Sequence, residues 1–169
     1  MIDFNKDVMP FKNKLYRLAL RMVCNHEEAQ DITQETLIRL WKRTDTLNSS
    51  SEALALGLTT CRNLSLDAIG KEGRNHEQLD NVVALQSMDS TPTPLETLTQ
   101  NDSRQMLIRQ INQLPEKQKT VMQLRDIEGL SYKEIAQILQ ITEEQVKVTL
   151  FRARQTLKAA CQNKENYGL

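Results

Sequence analysis

At 169 residues the chain has room for one domain of ordinary size or two small ones, and little room for a large enzyme fold. Apolar residues make up 39% and charged residues 26%, which excludes wholesale disorder, while five Gly, four Pro and seven aromatics are too few for a protein of many short strands. With 22 basic against 22 acidic side chains the net charge is zero, so any hold on nucleic acid must come from local basic surfaces.

The composition leaves an all-α fold, and the chain reads as successive amphipathic helices. Phe11, Leu15, Leu18 and Met22 recur at helical steps and predict a helix over residues 11–23, with Lys12, Lys14, Arg17 and Arg21 off the stripe. Asn25 followed by Glu28 is a capping-box pattern and opens a second helix through Arg43, carrying Ala29, Ile32, Thr36 and Leu40. Trp41 is expected on that same core side. Turn residues from Thr44 to Ser51 precede a third helix with Leu54, Leu58, Cys61, Ser65 and Ala68 on one face.

Gly70 and Gly73 weaken that helix, and the chain then stays polar to about Ser103, with Pro92 and Pro94 close together. Two small helical domains, 1–73 and 91–169, joined by a polar linker at 74–90, are therefore expected. The short Val82 to Leu85 run has no obvious pairing partner and stays unassigned. Periodicity returns with Leu107, Ile111 and Leu114, and Pro115 stands where the first residue of a helix carrying Val121, Leu124 and Ile127 would be, with Gly129 as its end.

Ser131 with Glu134, and Thr142 with Gln145, repeat the capping-box pattern at the heads of two further helices, which spells helix-turn-helix. Ala136 lets the helices approach, Ile141 plugs the corner, and Val146, Leu150, Ala153 and Leu157 line the inner side of the second. Glu144, Val148, Phe151, Arg152 and Gln155 then face outward. Between Lys147 and Lys164 five basic residues and no acidic one give this end an affinity for phosphate.

Cys24, Cys61 and Cys161 are odd in number and far apart, with only His26 and His76 beside them, so they are expected as buried thiols rather than as a disulfide framework or metal site. Neither a metal nor a cofactor is expected. The N-terminus lacks an apolar signal core and no stretch is long enough to span a bilayer, so the expected location is the cytoplasm, without membrane insertion.

The stretches Leu114 to Lys119, Leu124 to Ala136, Val146-Lys147 and Arg152-Ala153-Arg154 resemble the promoter-binding C-terminal domain of bacterial sigma factors. Leu15 to Arg21, Glu27 to Thr36 and Arg62 to Asp67 resemble the N-terminal core domain of that family. Both sets in order, with no middle domain, look like the compact extracytoplasmic-function sigma factors, over about two-thirds of the chain. The resemblance implies a non-enzymatic initiation factor that binds core RNA polymerase and promoter DNA and is held by an anti-sigma factor. It places polymerase docking on Asp31, Ile32, Gln34 and Glu35. Minus-ten contacts fall on Asn48, Ser49, Ser50, Asn63, Asp67, Lys71 and Arg74, where the first three would capture a flipped base. Minus-thirty-five contacts fall on Glu144, Gln145, Lys147, Val148, Arg152, Arg154 and Lys158.

This chain departs from the family pattern at Leu56, Gly57, Gly70, Gln140, Glu144, Gln145, Val148 and Thr149, so base preference does not transfer. An outward Glu can accept from a cytosine amino group and an outward Val can touch a thymine methyl. Two competing readings are a stand-alone helix-turn-helix regulator, which leaves the N-terminal matches unexplained, and a helical interaction module that never meets DNA.

Overall fold

A computed structural model describes the backbone of residues 1–72 and 94–166 and the side chains of residues 1–71 and 104–162. Every regular element among them is helical, and the chain divides into two units. The expected linker at 74–90, the Val82 to Leu85 run, Gly73, Arg74 and His76 lie outside the described residues.

The first unit opens with a π-helical turn (Phe4–Val8) and a 3-10 turn (Met9–Phe11), followed by α1 (Lys12–Val23), α2 (His26–Trp41) and α3 (Ser50–Glu72). Asp3 starts the chain into this fold, its carboxylate accepting from the amides of Asn5 and Lys6 at 2.9 and 3.2 Å. Val8 is thereby driven into the core beside Phe11, Leu15, Leu18 and Met22, the stripe that periodicity predicts. Arg21, expected off that stripe, is buried as well, because α1 packs against both α2 and α3 and little of its circumference stays wet. Cys24 ends α1 in the left-handed conformation, φ 56°, and its amide donates to the Leu20 carbonyl at 2.9 Å.

Asn25 caps α2 as expected, its side chain accepting from the Glu28 amide at 3.0 Å. Ala29, Ile32, Thr36 and Leu40 form the buried line of α2. Trp41 does not join them and is 63% exposed. One residue beyond Leu40 means a rotation of about 100°, which carries the indole to the outer face. The helix stops at Trp41 rather than Arg43, and the hydroxyls of Thr44 and Thr46 donate to the carbonyls of Trp41 and Arg43 at 3.0 and 2.9 Å.

Leu58, Cys61 and Ser65 of α3 are buried as the pattern requires. Gly57 belongs with them: a Cβ there would lie 3.1 Å from a Leu40 methyl and 3.2 Å from a Leu15 methyl, so the departure at this position lets three helices close on one another. Gly70 does not end α3, which continues to Glu72, because a single Gly costs a helix only about 1 kcal/mol. Of the three cysteines only Cys61 is fully buried; Cys24 is half-buried and Cys161 exposed, correcting the expectation for those two. Burial pushes the Cys61 thiol up to about 12, and its S–H donates to the Leu15 carbonyl.

The second unit comprises α4 (Pro94–Gln113), α5 (Glu116–Met122), a π-helical turn (Gln123–Ile127), α6 (Tyr132–Leu139) and α7 (Glu143–Asn166). Helix α4 begins at Pro94, inside the stretch whose composition reads as linker, since a leading Pro is compatible with a helix start. Ile108 within it and Leu114 just beyond its end are buried, whereas Leu107 is exposed. Pro115 is the N-cap of α5 rather than its first residue. Val121 and Leu124 are buried as expected, but Ile127 is 57% exposed. The π-helical turn inserts an extra residue per hydrogen bond, seen in the Glu128 amide donating to the Gln123 carbonyl at 3.0 Å, and rotates Ile127 away from the core. Gly129, φ 73°, closes the turn.

Candidate functional site

The outer face of α2 carries Asp31, Gln34 and Glu35, all exposed, and Glu35 is paired to Arg39 at 2.9 Å. Ile32, grouped with them by its place in the motif, is buried on the opposite line and anchors the helix instead of facing out. Ile38, which the core pattern leaves out, and Trp41, which it places inside, continue the exposed stripe. They line a concavity of about 390 Å³ with Phe4, Met9, Gln34 and Leu37. The stripe is therefore charged toward the N-terminus of α2 and apolar toward its C-terminus. Counting in steps of three and four from Gln34 to Ile38 and Trp41 is the signal that marks it.

The connection from α2 to α3 is pinned by buried Leu47 and by an exchange of hydrogen bonds at the head of α3. The Asn48 amide donates to the Glu52 carboxylate at 2.9 Å and the Glu52 amide donates to Ser49 Oγ at 3.1 Å. Ser50 Oγ donates to the Asp7 carbonyl at 2.9 Å. Both serines thus have partners within the chain, and among the described residues the Asn48 side-chain amide has none. Asn63, Asp67 and Lys71 lie exposed along α3 at steps of four, one line on its surface. Arg39, Lys42 and Arg43, not expected as site residues, border a concavity of about 320 Å³ with Leu40, Leu56 and Thr60 just before the loop.

In the second unit both expected caps form, the one at Thr142 as a full reciprocal box and the one at Ser131 with the carboxylate on the cap hydroxyl instead of the cap amide. The Glu134 amide donates to Ser131 Oγ at 3.1 Å while Ser131 Oγ donates to the Glu134 carboxylate at 3.0 Å. The Gln145 amide donates to Thr142 Oγ1 at 3.1 Å and the Thr142 amide to Gln145 Oε1 at 3.0 Å. Gln140 takes the left-handed conformation, φ 56°, that a turn glycine would adopt freely, so the turn keeps its shape despite the departure. Val146, Leu150 and Ala153 fix the inner side of α7.

Glu144, Gln145, Lys147, Val148, Arg152, Arg154 and Lys158 are all exposed, as is Phe151 at 63%. Their situations differ. Gln145 is engaged in the cap, Arg154 is paired with Asp126 at 2.5 Å, and Lys147 lies over the Tyr132 ring. Among the described residues no cluster of His, Cys, Asp or Glu could hold a metal ion, and no helix is long and apolar enough to cross a membrane.

Residues 8–75 match the family Sigma-70 region 2, and residues 104–157 match Sigma-70, region 4. The chain is 28% identical over 170 residues to the RNA polymerase sigma-H factor of Pseudomonas aeruginosa, covering 94% of this chain and 86% of that one. It is 30% identical over 156 residues to the ECF RNA polymerase sigma factor SigW of Bacillus subtilis, covering 88% and 83%. In fold it resembles the sigma factor RpoE solved with the anti-sigma factor NepR from Bartonella quintana, with TM-score 0.69, 23% identity and coverage of 95% and 97%. It also resembles CnrH solved with the cytosolic domain of CnrY, with TM-score 0.62, 18% identity and coverage of 95% and 88%. Two sigma regions in their proper order, carried on a helical fold and shared along nearly the whole length of such relatives, make this chain a member of the extracytoplasmic-function RNA polymerase sigma factors, which direct the polymerase to promoters.

Proposed function

We propose the following division of labour within this alternative sigma factor. The outer face of α2, through Asp31, Gln34 and Glu35 and continuing over Ile38 and Trp41, docks on core RNA polymerase, with Ile32 holding the helix from behind. The Asn48 to Ser50 loop takes an extruded base of the minus-ten box, Asn48 supplying the free amide and the two serines holding the loop in shape. Asn63, Asp67, Lys71 and Arg74 follow the melting strand. In the second unit α7 enters the major groove at the minus-thirty-five box. There Glu144 and Val148 face base edges, while Lys147, Arg152, Arg154 and Lys158 meet phosphate and Gln145 holds the helix head.

The functional boundaries follow as 1–73 for polymerase and the minus-ten box, 74–90 as connection and 91–169 for the minus-thirty-five box. The chain performs no catalysis of its own and works in the cytoplasm, where the polymerase is. A neighbour of the same fold is solved with an anti-sigma factor, and an inhibitor of that kind would hold this chain too.

The observation that carries this reading is the exposed stripe of α2, half charged and half apolar, which a stand-alone helix-turn-helix regulator would not need. Pull-down with purified core polymerase and promoter-dependent run-off transcription test it. Wild type is expected to bind and to support transcription. Asp31→Arg with Gln34→Ala is expected to lose both while staying folded, because both side chains point to solvent. Wild-type binding by that double variant would refute the docking face, and DNA binding without polymerase binding would favour the stand-alone regulator.

A further inference from the structure

Residues 3–11 form a strap in front of α1, and its first turn is closed from both ends. The Asp3 carboxylate accepts from the Asn5 and Lys6 amides, the Asp3 amide donates to the Asp7 carboxylate at 2.8 Å, and the Asp7 amide donates to the Asp3 carbonyl at 2.7 Å. Two aspartates thus lock one turn, and buried Ile2, Val8 and Phe11 pin the strap to the bundle. Phe4 and Met9 of the strap wall the concavity of about 390 Å³ that Ile38 and Trp41 of α2 also line. Asp7, which lies between Phe4 and Met9 in the chain, reaches the head of α3, where its carbonyl accepts from Ser50 Oγ at 2.9 Å. Ser50 is the first residue of α3 and follows Asn48 and Ser49, which exchange hydrogen bonds with Glu52. One short segment therefore touches both the groove beside Trp41 and the loop before α3. Because the acceptor at Asp7 is a backbone oxygen, the place of Ser50 follows the path of the strap and not the rotamer of a strap side chain. All of these side-chain hydrogen bonds lie at the surface, where water competes for each of them.

We infer that this N-terminal strap couples the two tasks of the first unit: a partner filling the groove holds Phe4 and Met9 in place, and the Asp7 carbonyl then holds Ser50 and the loop that receives the minus-ten base. This rests on the reading that the outer face of α2 docks on polymerase and that the Asn48 to Ser50 loop captures an extruded base. In the free chain, surface hydrogen bonds that open readily hold the head of α3, so a base entering the loop must also order it. With the groove filled the strap is fixed, that ordering is complete before DNA arrives, and the base is held more tightly. Such coupling is reciprocal, so the single strand strengthens polymerase binding by the same factor. Asp3 and Ser50 act here as positioning residues, since the effect requires neither to touch base or polymerase.

The test uses the full chain, free and assembled with core polymerase, and a minus-ten single strand that wild-type holoenzyme selects from a randomised pool. A second strand is made abasic at the position where that change weakens wild-type holoenzyme most. Discrimination between the two strands is expected to be about tenfold greater for wild-type holoenzyme than for the free chain. Asp3→Ala, which removes the lock, and Ser50→Ala, which removes the link, should each bring that ratio to about threefold or less, whereas Asp3→Asn can accept the same amides and should keep it. Hydrogen exchange without DNA, at saturating polymerase, gives a second readout. Polymerase should slow exchange of the Asn48 and Glu52 amides in wild type and Asp3→Asn, and leave it near the free-chain rate in Asp3→Ala. The proposal is overturned if Asp3→Ala keeps the wild-type ratio or the wild-type protection, or if Asp3→Asn loses as much as Asp3→Ala. It is equally overturned if Asp3→Ala weakens discrimination by the free chain as much as by holoenzyme, the mark of a part that only supports the fold. A wild-type holoenzyme indifferent to an abasic site anywhere in the strand would overturn the base-capture reading and the coupling with it, whereas failure of the coupling alone leaves that reading intact.

Discussion

Gln140 and Arg154 show how single residues are constrained by backbone and charge. A non-glycine residue in the left-handed region costs about 1–2 kcal/mol, and glycine gives back part of that through its larger unfolded-state entropy. Gln140→Gly should therefore stabilise the second unit by about 0.5–1 kcal/mol, read as a rise of roughly 2–6 °C in its melting temperature. An unchanged or lower midpoint would mean that the Gln side chain contributes something the turn needs. Arg154 and Arg152 are both exposed, yet among the described residues only Arg154 of the two has an internal carboxylate. Arg152→Ala and Lys158→Ala should each lower the salt slope of promoter binding by about one. Arg154→Ala should lower it by less and cost up to about 1 kcal/mol of stability, since its charge is already spent on Asp126. Equal slopes for all three variants would count against that distinction.

At the scale of elements, α2 has two distinct faces, one buried and one open. Its buried line through Ala29, Ile32, Thr36 and Leu40 holds the bundle, so the outer stripe is free for a partner. Trp41 is the one tryptophan in the chain, and its exposure makes it a reporter of that stripe. Protein labelled with 5-fluorotryptophan should give a single fluorine resonance near the position of a solvated indole. Addition of core polymerase should shift and broaden it. Trp41→Ala should leave helicity unchanged and weaken polymerase binding about tenfold or more, in the range of an aromatic anchor at an interface. A resonance untouched by polymerase would remove Trp41 from the docking surface. The same helix also shows why Gly57 of α3 matters, since the closeness of Leu40 and Leu15 leaves room for no larger side chain without a shift.

For the whole molecule, the two units have separate cores, one around Leu15, Leu18, Leu40 and Leu58, the other around Val121, Leu124, Ile135 and Val146. Truncating Leu58 to Ala should cost about 2–5 kcal/mol in the first core. Hydrogen exchange on the full chain should then show lower protection across α1–α3 and unchanged protection across α5–α7, because stability is distributed in cooperative units rather than evenly. A loss spread over both units would show that they unfold as one.

Much of this was legible in the amino-acid order. The helical class, the caps at Asn25, Ser131 and Thr142, the buried stripe of α1 and the helix-turn-helix all follow from residues three or four apart, where backbone geometry alone decides which groups meet. Family motifs likewise pointed to α2 and α7 as the elements on which the proposed contacts lie. Tertiary structure decided the rest: Trp41 faces out although its neighbour Leu40 faces in, Arg21 is buried, Ile32 points away from the exposed stripe of α2, and the π-helical turn sends Ile127 into solvent. It also decided that Arg154 belongs to Asp126 and that Arg125 and Lys147 share the ring of Tyr132. Burial and charge pairing depend on which helices close around a side chain, and residues far apart in the chain become partners only when the packing of a core places them there.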